Sequence, residues 1–482
     1  MPDSRLPDSR RWLILASLSL LQFLIAVDVT VVNVALPDIG RHFDADPGQL
    51  TWVVVGYTVA GGGLLMLGGR LGDLLGRRRM LITGVLIFGA ASLLAGLAPS
   101  FGVLVAARLA QGAGEALAAP AAMSVIVLMV PEGPLRSRAL GVWAAVASSG
   151  LVLGFVLSGV ITEFLGWRWV FLISVPFVAL VLVAALVLVP AGRTARRDAG
   201  QDTTADVPGA LLLTVAPLLF IAGVVEAGEA ARPWWVPTLL LVGAVIAADA
   251  LVKVERQAVD PLLPPKILAH RSRLGANGAT MLLSAALSSS FLLFTFLLQD
   301  RMGLSPLTTG LTLVPLALSL IVASVHIPRL IERWGAHACA LTGMGCAALG
   351  MVAIAVAAAT DLDAGTVAGP LSLLPAMLLI AAGMGFGIVA LQYVAVSGVT
   401  DEDAATASGV QRAADQLGGA TGVALFIGIG FSPVLTGGAD TLAPYVLSAA
   451  LAVVGLAAGA VVVRRAIVPE RTGAGTPAAQ QS

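Results

Sequence analysis

Apolar runs of bilayer length recur along this chain, and they leave it one kind of environment. A helix rises 1.5 Å per residue, so about 20 apolar residues cross the hydrocarbon core of a bilayer. Fourteen stretches qualify: 13–35, 50–70, 80–98, 102–130, 139–162, 168–190, 208–225, 235–252, 275–298, 308–328, 338–359, 370–397, 406–430 and 443–463. In hydrocarbon every backbone N–H and C=O must be paired within its own segment, so each stretch is expected to be a helix. Of the 482 residues, 58% are hydrophobic and 12% charged, and the mean hydropathy is +0.94. A water-soluble fold of this length has no core large enough to hide that surface. The expected class is therefore an all-α integral membrane protein. The first run is too long for a signal-peptide core and no A-x-A site closes it, so it reads as the first span.

Basic residues test the count. With both termini on one side, 22 of the 28 lysines and arginines fall on that side, and only Arg41, Arg168, Arg232 and Arg301 fall opposite. Short loops rich in Lys and Arg stay cytoplasmic, so both termini are expected there. Two longer segments on the basic side, 191–207 and 253–274, bracket spans seven and eight. The chain thus divides into an N-terminal stretch (1–12), a first six-helix bundle (13–190), a connecting region with two spans (191–274), a second six-helix bundle (275–465) and a tail (466–482). The tail is rich in Pro, Gly, Ala and Gln and is expected to be disordered. Trp167, Trp169, Trp234 and Trp235 fall at span ends, where an interfacial aromatic belt would lie.

One charge stands out within the first span. Asp28 lies inside LILASLSLLQFLIAVDVTVVNVALP, where a carboxylate costs about 2.5–3.5 kcal/mol on insertion scales. Such a residue is kept for an ion path or a buried partner, and Arg108, inside the fourth apolar run, is the candidate partner. Gln111 lies one turn further on and could join them. Glu115 lies two turns beyond Arg108 and so projects from the same face. Desolvation and a neighbouring guanidinium act in opposite senses on a carboxyl, and their balance can place its titration near neutral pH, as a coupling group requires. A static counter-ion for Arg108 is the other reading of Glu115. Titratable groups at Asp28, Arg108 and Glu115 point to proton-coupled transport.

Between the second and third runs lies GGRLGDLLGRRRM, residues 68–80. Gly69, Gly72 and Gly76 let helices approach and the backbone reverse. Asp73 can pair with Arg77, and Arg77, Arg78 and Arg79 hold the turn in the cytoplasm. This pattern resembles the signature of the major facilitator superfamily. AVDVTVVNVALP (26–37) and ARLAQGAGEAL (107–117) resemble the first- and fourth-span motifs of its drug:proton antiporters. GWRWVFLISVP (166–176) and GLSPLTTGLTLVPLAL (303–318) resemble its fourteen-span branch. The likeness runs from about Trp12 to Arg465. It implies two six-helix bundles related by a pseudo-two-fold axis, a central cavity near the midplane and two additional helices packed outside. It also implies that Arg108 controls proton traffic at Asp28.

Two motifs depart from the family pattern. The fifth-span antiporter motif G-x-x-x-G-P-x-x-G-G is represented by Gly150, Gly154, Phe155, Ser158 and Gly159. Phe155 stands where the proline would kink the helix. The segment reads either as a seam sealing the inward path or as ordinary small-residue packing. In the thirteenth span Arg412 and Asp415 replace the asparagine and arginine of N-T-x-R-Q-x-G and could pair as i, i+3 neighbours. Gln22, Asn33, Gln392 and Tyr393 offer polar contacts to a ligand, as does Gln111, although helix packing is an alternative role for each. Asp249 and Lys253 are spaced for a local pair.

Other chemistries find no support. There is no G-x-x-x-x-G-K-[ST] phosphate loop to hydrolyse a nucleotide. Four scattered histidines and two cysteines, Cys339 and Cys346, give no metal spacing. The formal net charge is zero, so nothing points to nucleic acid. The expected function is alternating-access export of hydrophobic or cationic small molecules, driven by a proton gradient with no cofactor. The chain is expected to act as a monomer in the cell membrane and not as an enzyme. A proton symporter for one metabolite and a non-transporting receptor or scaffold are the alternatives.

Overall fold

A computed structural model of the protein describes residues 8–130, 133–190, 206–228, 232–258, 261–263, 269–360, 368–432 and 442–467. Most of the 191–207 segment and nearly all of the C-terminal tail lie outside them. All regular structure among the described residues is helical. The first half contains α1 (Asp8–Phe43), α2 (Pro47–Leu75), α3 (Arg77–Gly96), α4 (Phe101–Met129) and α5 (Pro134–Leu165), then α6 (Arg168–Leu172) running into α7 (Ser174–Leu188). Two connecting helices follow, α8 (Val207–Ala227) and α9 (Trp235–Gln257). The second half begins with α10 (Arg271–Phe296), prolonged by a π-helical turn, Leu297–Arg301. It continues through α11 (Pro306–Thr312), α12 (Val314–Trp334), α13 (Ala336–Ala359), α14 (Ala368–Leu371) and α15 (Leu374–Val396). The last two are α16 (Asp401–Gly422), prolonged by the π-helical turn Val423–Gly428, and α17 (Ala443–Ala466).

Local chemistry sets the helix ends. Asp46 caps α2 by accepting the Gln49 N–H at 2.9 Å, and Asp206 caps α8 through Gly209 at 3.0 Å. Both satisfy N–H groups that the first helical turn leaves without partners. Between α2 and α3 the chain reverses on Gly76, whose φ of 102° excludes most other residues.

Twelve helical stretches among the described residues are long and apolar enough to cross a bilayer, and Pro306–Leu320 is apolar but shorter. The expected count of fourteen is therefore met by twelve on length and apolarity. Helices also occupy the other two positions, 308–328 and 406–430. The first is formed by α11 and α12. The second carries Gln411, Arg412, Asp415 and Gln416 along its middle. Gln411 is turned inward, where its amide donates to Thr280 at 3.0 Å.

Small residues bring the helices close enough to build an interior. A Cβ at Gly112 would strike the Tyr57 carbonyl, and one at Gly68 would strike that of Ala116, so α2 and α4 pack backbone to backbone. Gly418 and Gly422 pack in the same way against Met281 and Ala285. The two connecting helices are not equivalent. The α8 helix covers the line where α2 meets the π turn after α16, with Thr214 against Gly63 and Ser432 donating to the Gly228 carbonyl at 2.8 Å. The α9 helix packs on α8 and exposes Leu239, Val245 and Ile246, as a lipid-facing helix does.

Of the four expected belt tryptophans, Trp169, Trp234 and Trp235 are exposed. Trp167 is buried against His42, Phe43 and Phe171 and belongs to the core at that end. The Arg168 guanidinium holds it there by capping the Gly96 and Ala98 carbonyls.

Candidate functional site: a central cavity and its buried charges

A cavity of about 370 Å³ lies where the two halves face each other. Asn33, Tyr57, Arg108 and Phe155 line it from the first half, and Ser284, Phe291, Met384 and Asp415 from the second. It is closed toward the end of the bundle away from the arginine-rich loops. There Gln299 donates to the Val34 carbonyl at 2.8 Å. Gly159 seats against Pro306, and Gly310 against the Phe155 carbonyl.

Asp28, Arg108 and Gln111 form one network in the wall. Nη1 of Arg108 donates to Asp28 Oδ2 at 2.5 Å and to Gln111 Oε1 at 2.9 Å. Its Nε donates to the Val53 carbonyl at 2.7 Å. The Gln111 amide donates to Asp28 Oδ1 at 3.2 Å and to the Ser92 hydroxyl at 2.9 Å. The guanidinium lies 4.4 Å from the centre of the Tyr57 ring. All of these groups are buried. Buried charges are tolerated when they are paired and their remaining donors are satisfied, and this network meets both conditions. The expected pairing of Asp28 with Arg108, bridged by Gln111, is what the fold builds. Ser92 and Tyr57 complete it and were not singled out from the sequence.

Glu115 shares the buried face of α4 but has a different partner. Its Oε1 accepts the Gln416 amide of α16 at 3.4 Å. The Tyr57 hydroxyl faces the same carboxylate as a second side-chain partner, and Oε1 of Gln416 is buried without a hydrogen-bond partner. Glu115 is thus not the static counter-ion of Arg108, whose pairing is taken by Asp28. The approach is possible because α2 presents Gly61 and Gly62 at this level. A Cβ at Gly61 would sit 3.1 Å from Gln416 Oε1 and 3.3 Å from Glu115 Oε2.

The expected Arg412–Asp415 pair does not form. Arg412 is exposed, and no ion pair joins it to Asp415 among the described residues. Asp415 instead turns into the cavity and accepts the hydroxyl of Ser284 from α10. Three residues along a helix leave the two side chains only about 60° apart, so the spacing permits the pair, and it is the Ser284 hydroxyl that takes up Asp415 instead.

The altered fifth-span motif packs as well as lines. Gly150 seats against Phe23 and Ala26 of α1, Gly154 against Thr30, and Ser158 donates to the Val31 carbonyl. Phe155 faces the cavity and meets Phe291 of the other half, ring centres 5.6 Å apart. The α5 helix runs unbroken through this position. In the 68–80 segment Asp73 pairs with Arg77 at 3.0 Å, and Arg78 donates to the Leu186 carbonyl of α7 at 2.5 Å. Close approach there falls to Gly68, whereas Gly69 and Gly72 have room around them. Of the other polar candidates, Asn33 lines the cavity, and Gln22 is buried outside it. Gln392 and Tyr393 are exposed on α15 and do not reach it; Met384, Gly385, Ile388 and Val389 of that helix do. Asp249 and Lys253 pair at 2.6 Å on the surface.

This architecture is shared with known proteins. The profile of the Major Facilitator Superfamily matches residues 18–423. The lincomycin resistance protein of Streptomyces lincolnensis is 50% identical over 461 residues, 96% of this chain and 92% of that one. The puromycin resistance protein pur8 of Streptomyces alboniger is 38% identical over 423 residues, covering 87% and 82%. The cephamycin export protein CmcT of Amycolatopsis lactamdurans is 34% identical over 408 residues, covering 84% and 82%. Among solved structures, the nucleoside transporter NupG superposes with a TM-score of 0.65 at 13% identity, over 94% of this chain and 98% of that one. A partially occluded inward-open form of the xylose transporter XylE from E. coli gives 0.62 at 15% identity, over 97% and 100%. Profile, relatives and fold agree: this chain is a multi-pass membrane transporter of the Major Facilitator Superfamily, not an enzyme.

Proposed function

We propose that the protein exports hydrophobic small molecules, antibiotics among them, across the plasma membrane in exchange for protons. The observation that carries this reading is the double position of Arg108. It is the ion-pair partner of Asp28 and also part of the cavity wall. A proton arriving on Asp28 removes the negative half of that pair and leaves an uncompensated guanidinium facing the cavity. A cationic substrate is then repelled and an uncharged one meets a rearranged wall, so proton binding favours release. Loss of the proton restores the pair and the binding state. Substrate and proton compete through one guanidinium, with no cofactor.

Relatives named for resistance and export support the outward direction. In this reading the arginine-rich loops and both termini are cytoplasmic, and the sealed end of the cavity faces outward. Helices α12 and α16 cross the bilayer with the twelve apolar spans, for fourteen in all, and the chain works as a monomer. Glu115 joins the coupling machinery at the seam between the halves, where its link to Gln416 depends on its protonation.

The test is transport in everted membrane vesicles carrying the protein. An imposed inward-acidic gradient should drive uptake of an exported dye, and the dye should in turn dissipate the gradient. Uptake that persists after the proton gradient is collapsed would remove proton coupling from the mechanism.

A further inference from the structure

We infer that Asp415, oriented by Ser284, is a cation anchor for substrate and sets the charge that the cavity selects. The inference rests on reading this cavity as the export site. Among the described residues that line it, the acidic and basic side chains are Arg108 and Asp415. The charge of Arg108 is met by Asp28 within the wall. Among the described residues Asp415 accepts a hydrogen bond from the Ser284 hydroxyl and makes no ion pair, the Arg412 charge acting on it from farther away. Arg412, its nearest cation in sequence, is exposed on the same helix. The cavity therefore presents one carboxyl group that no side chain among the described residues meets in an ion pair.

A carboxylate in an enclosed apolar site is costly until a cation meets it. Ser284 fixes one oxygen, which orients the other lone pairs toward the space. Around it the wall is apolar and aromatic. Phe155 and Phe291 stand in contact across the two halves and offer ring faces to an organic cation. An amphiphile with one ammonium, or a lipophilic phosphonium, satisfies both features. Its charge sits at Asp415, and its apolar body fills the space between α5, α10 and α12. A neutral molecule of the same shape gains the apolar contacts only. This function is distinct from that of Asp28, whose oxygens are already taken by Arg108 and Gln111.

Binding of two probes to the purified full-length protein tests this. Tetraphenylphosphonium supplies a cation with aryl groups, and triphenylphosphine oxide supplies similar aryl groups without net charge. The wild type should prefer the phosphonium. Asp415→Asn should weaken phosphonium binding by roughly tenfold or more and leave the oxide unchanged. Asp415→Glu should keep the preference. Thermal unfolding of each variant separates these effects from misfolding, and the oxide serves as an internal control for an intact cavity. Wild-type protein with no phosphonium preference, equal losses for both probes, or full phosphonium binding by Asp415→Asn would each overturn the assignment. The export reading fails separately. If the wild type binds phosphonium through Asp415 yet moves nothing outward in vesicles, the anchor stands and export falls. If Asp415→Asn exports cationic and neutral compounds as the wild type does, export stands and the anchor falls.

Discussion

The side-chain amide of Gln416 reaches Glu115 at 3.4 Å, across glycines of the helix that separates them. Glu115 belongs to the first half and Gln416 to the second, so the contact is one of the few buried polar links between the halves. Alternating access requires the halves to move against each other, and this link lies in the seam that must shear. Gln416→Ala and Glu115→Gln should show a coupling of about 0.5–3 kcal/mol in a double-mutant cycle of thermal unfolding. The coupling should exceed that between Arg108→Ala and Glu115→Gln, because those two residues meet through Tyr57 and make no direct hydrogen bond with each other. The reverse order would return Glu115 to the Arg108 network.

Asp28→Asn keeps the size of the side chain and removes its titration. It should abolish efflux driven by a proton gradient while the protein still assembles in the membrane. Efflux assays at several external pH values, alongside immunoblots of membrane fractions, give both readouts. Normal pH-dependent efflux would exclude Asp28 as the proton carrier.

Arg108→Ala removes the only cation that Asp28 pairs with among the described residues. Stranding a buried charge costs about 3–5 kcal/mol, so this variant should be much less stable in detergent than Gln111→Ala. Combining it with Asp28→Asn should recover a large part of the loss in thermal unfolding without restoring transport.

Gly112→Ala would place a methyl group on the Tyr57 carbonyl and push α2 from α4. Overpacking of this kind costs about 1–3 kcal/mol. It should also disturb Arg108 one turn away, so transport is expected to fall further than expression. Gly102→Ala on the same helix has open space around it and should be neutral in both assays.

Reporter fusions after Arg79 and after Arg197 should both score as cytoplasmic if the arginine-rich loops lie inside the cell. An external score for either would break the proposed topology.

The sequence makes some of this site legible and hides the rest for physical reasons. Asp28 and Arg108 can be paired on paper because two charges in apolar helices have few alternatives, and Gln111 follows from helical spacing. Asp73–Arg77 and Asp249–Lys253 are likewise local. Ser284–Asp415 and Glu115–Gln416 join residues 131 and 301 positions apart. No periodicity along one helix reports which face it turns to another half of the molecule. The same ignorance places Gln392 and Tyr393 in the cavity on polarity alone, whereas α15 turns apolar residues inward. A signal for the seam was present in the consecutive Gly61, Gly62 and Gly63, a run that serves close approach by other helices.

The polarity of α16 also bears on how the protein reaches its folded state. A segment carrying Gln411, Arg412, Asp415 and Gln416 gains little by leaving water for lipid alone. Among the described residues, Gln411, Asp415 and Gln416 find hydrogen-bond partners on α10 and α4, through Thr280, Ser284 and Glu115. Those helices are made earlier in the chain and must already be in the bilayer to receive it. Insertion of α16 is then a docking event, in which a growing chain completes its second half against a finished first half. Asp415 and Ser284, which line the central cavity, thus also bear on the order of biogenesis.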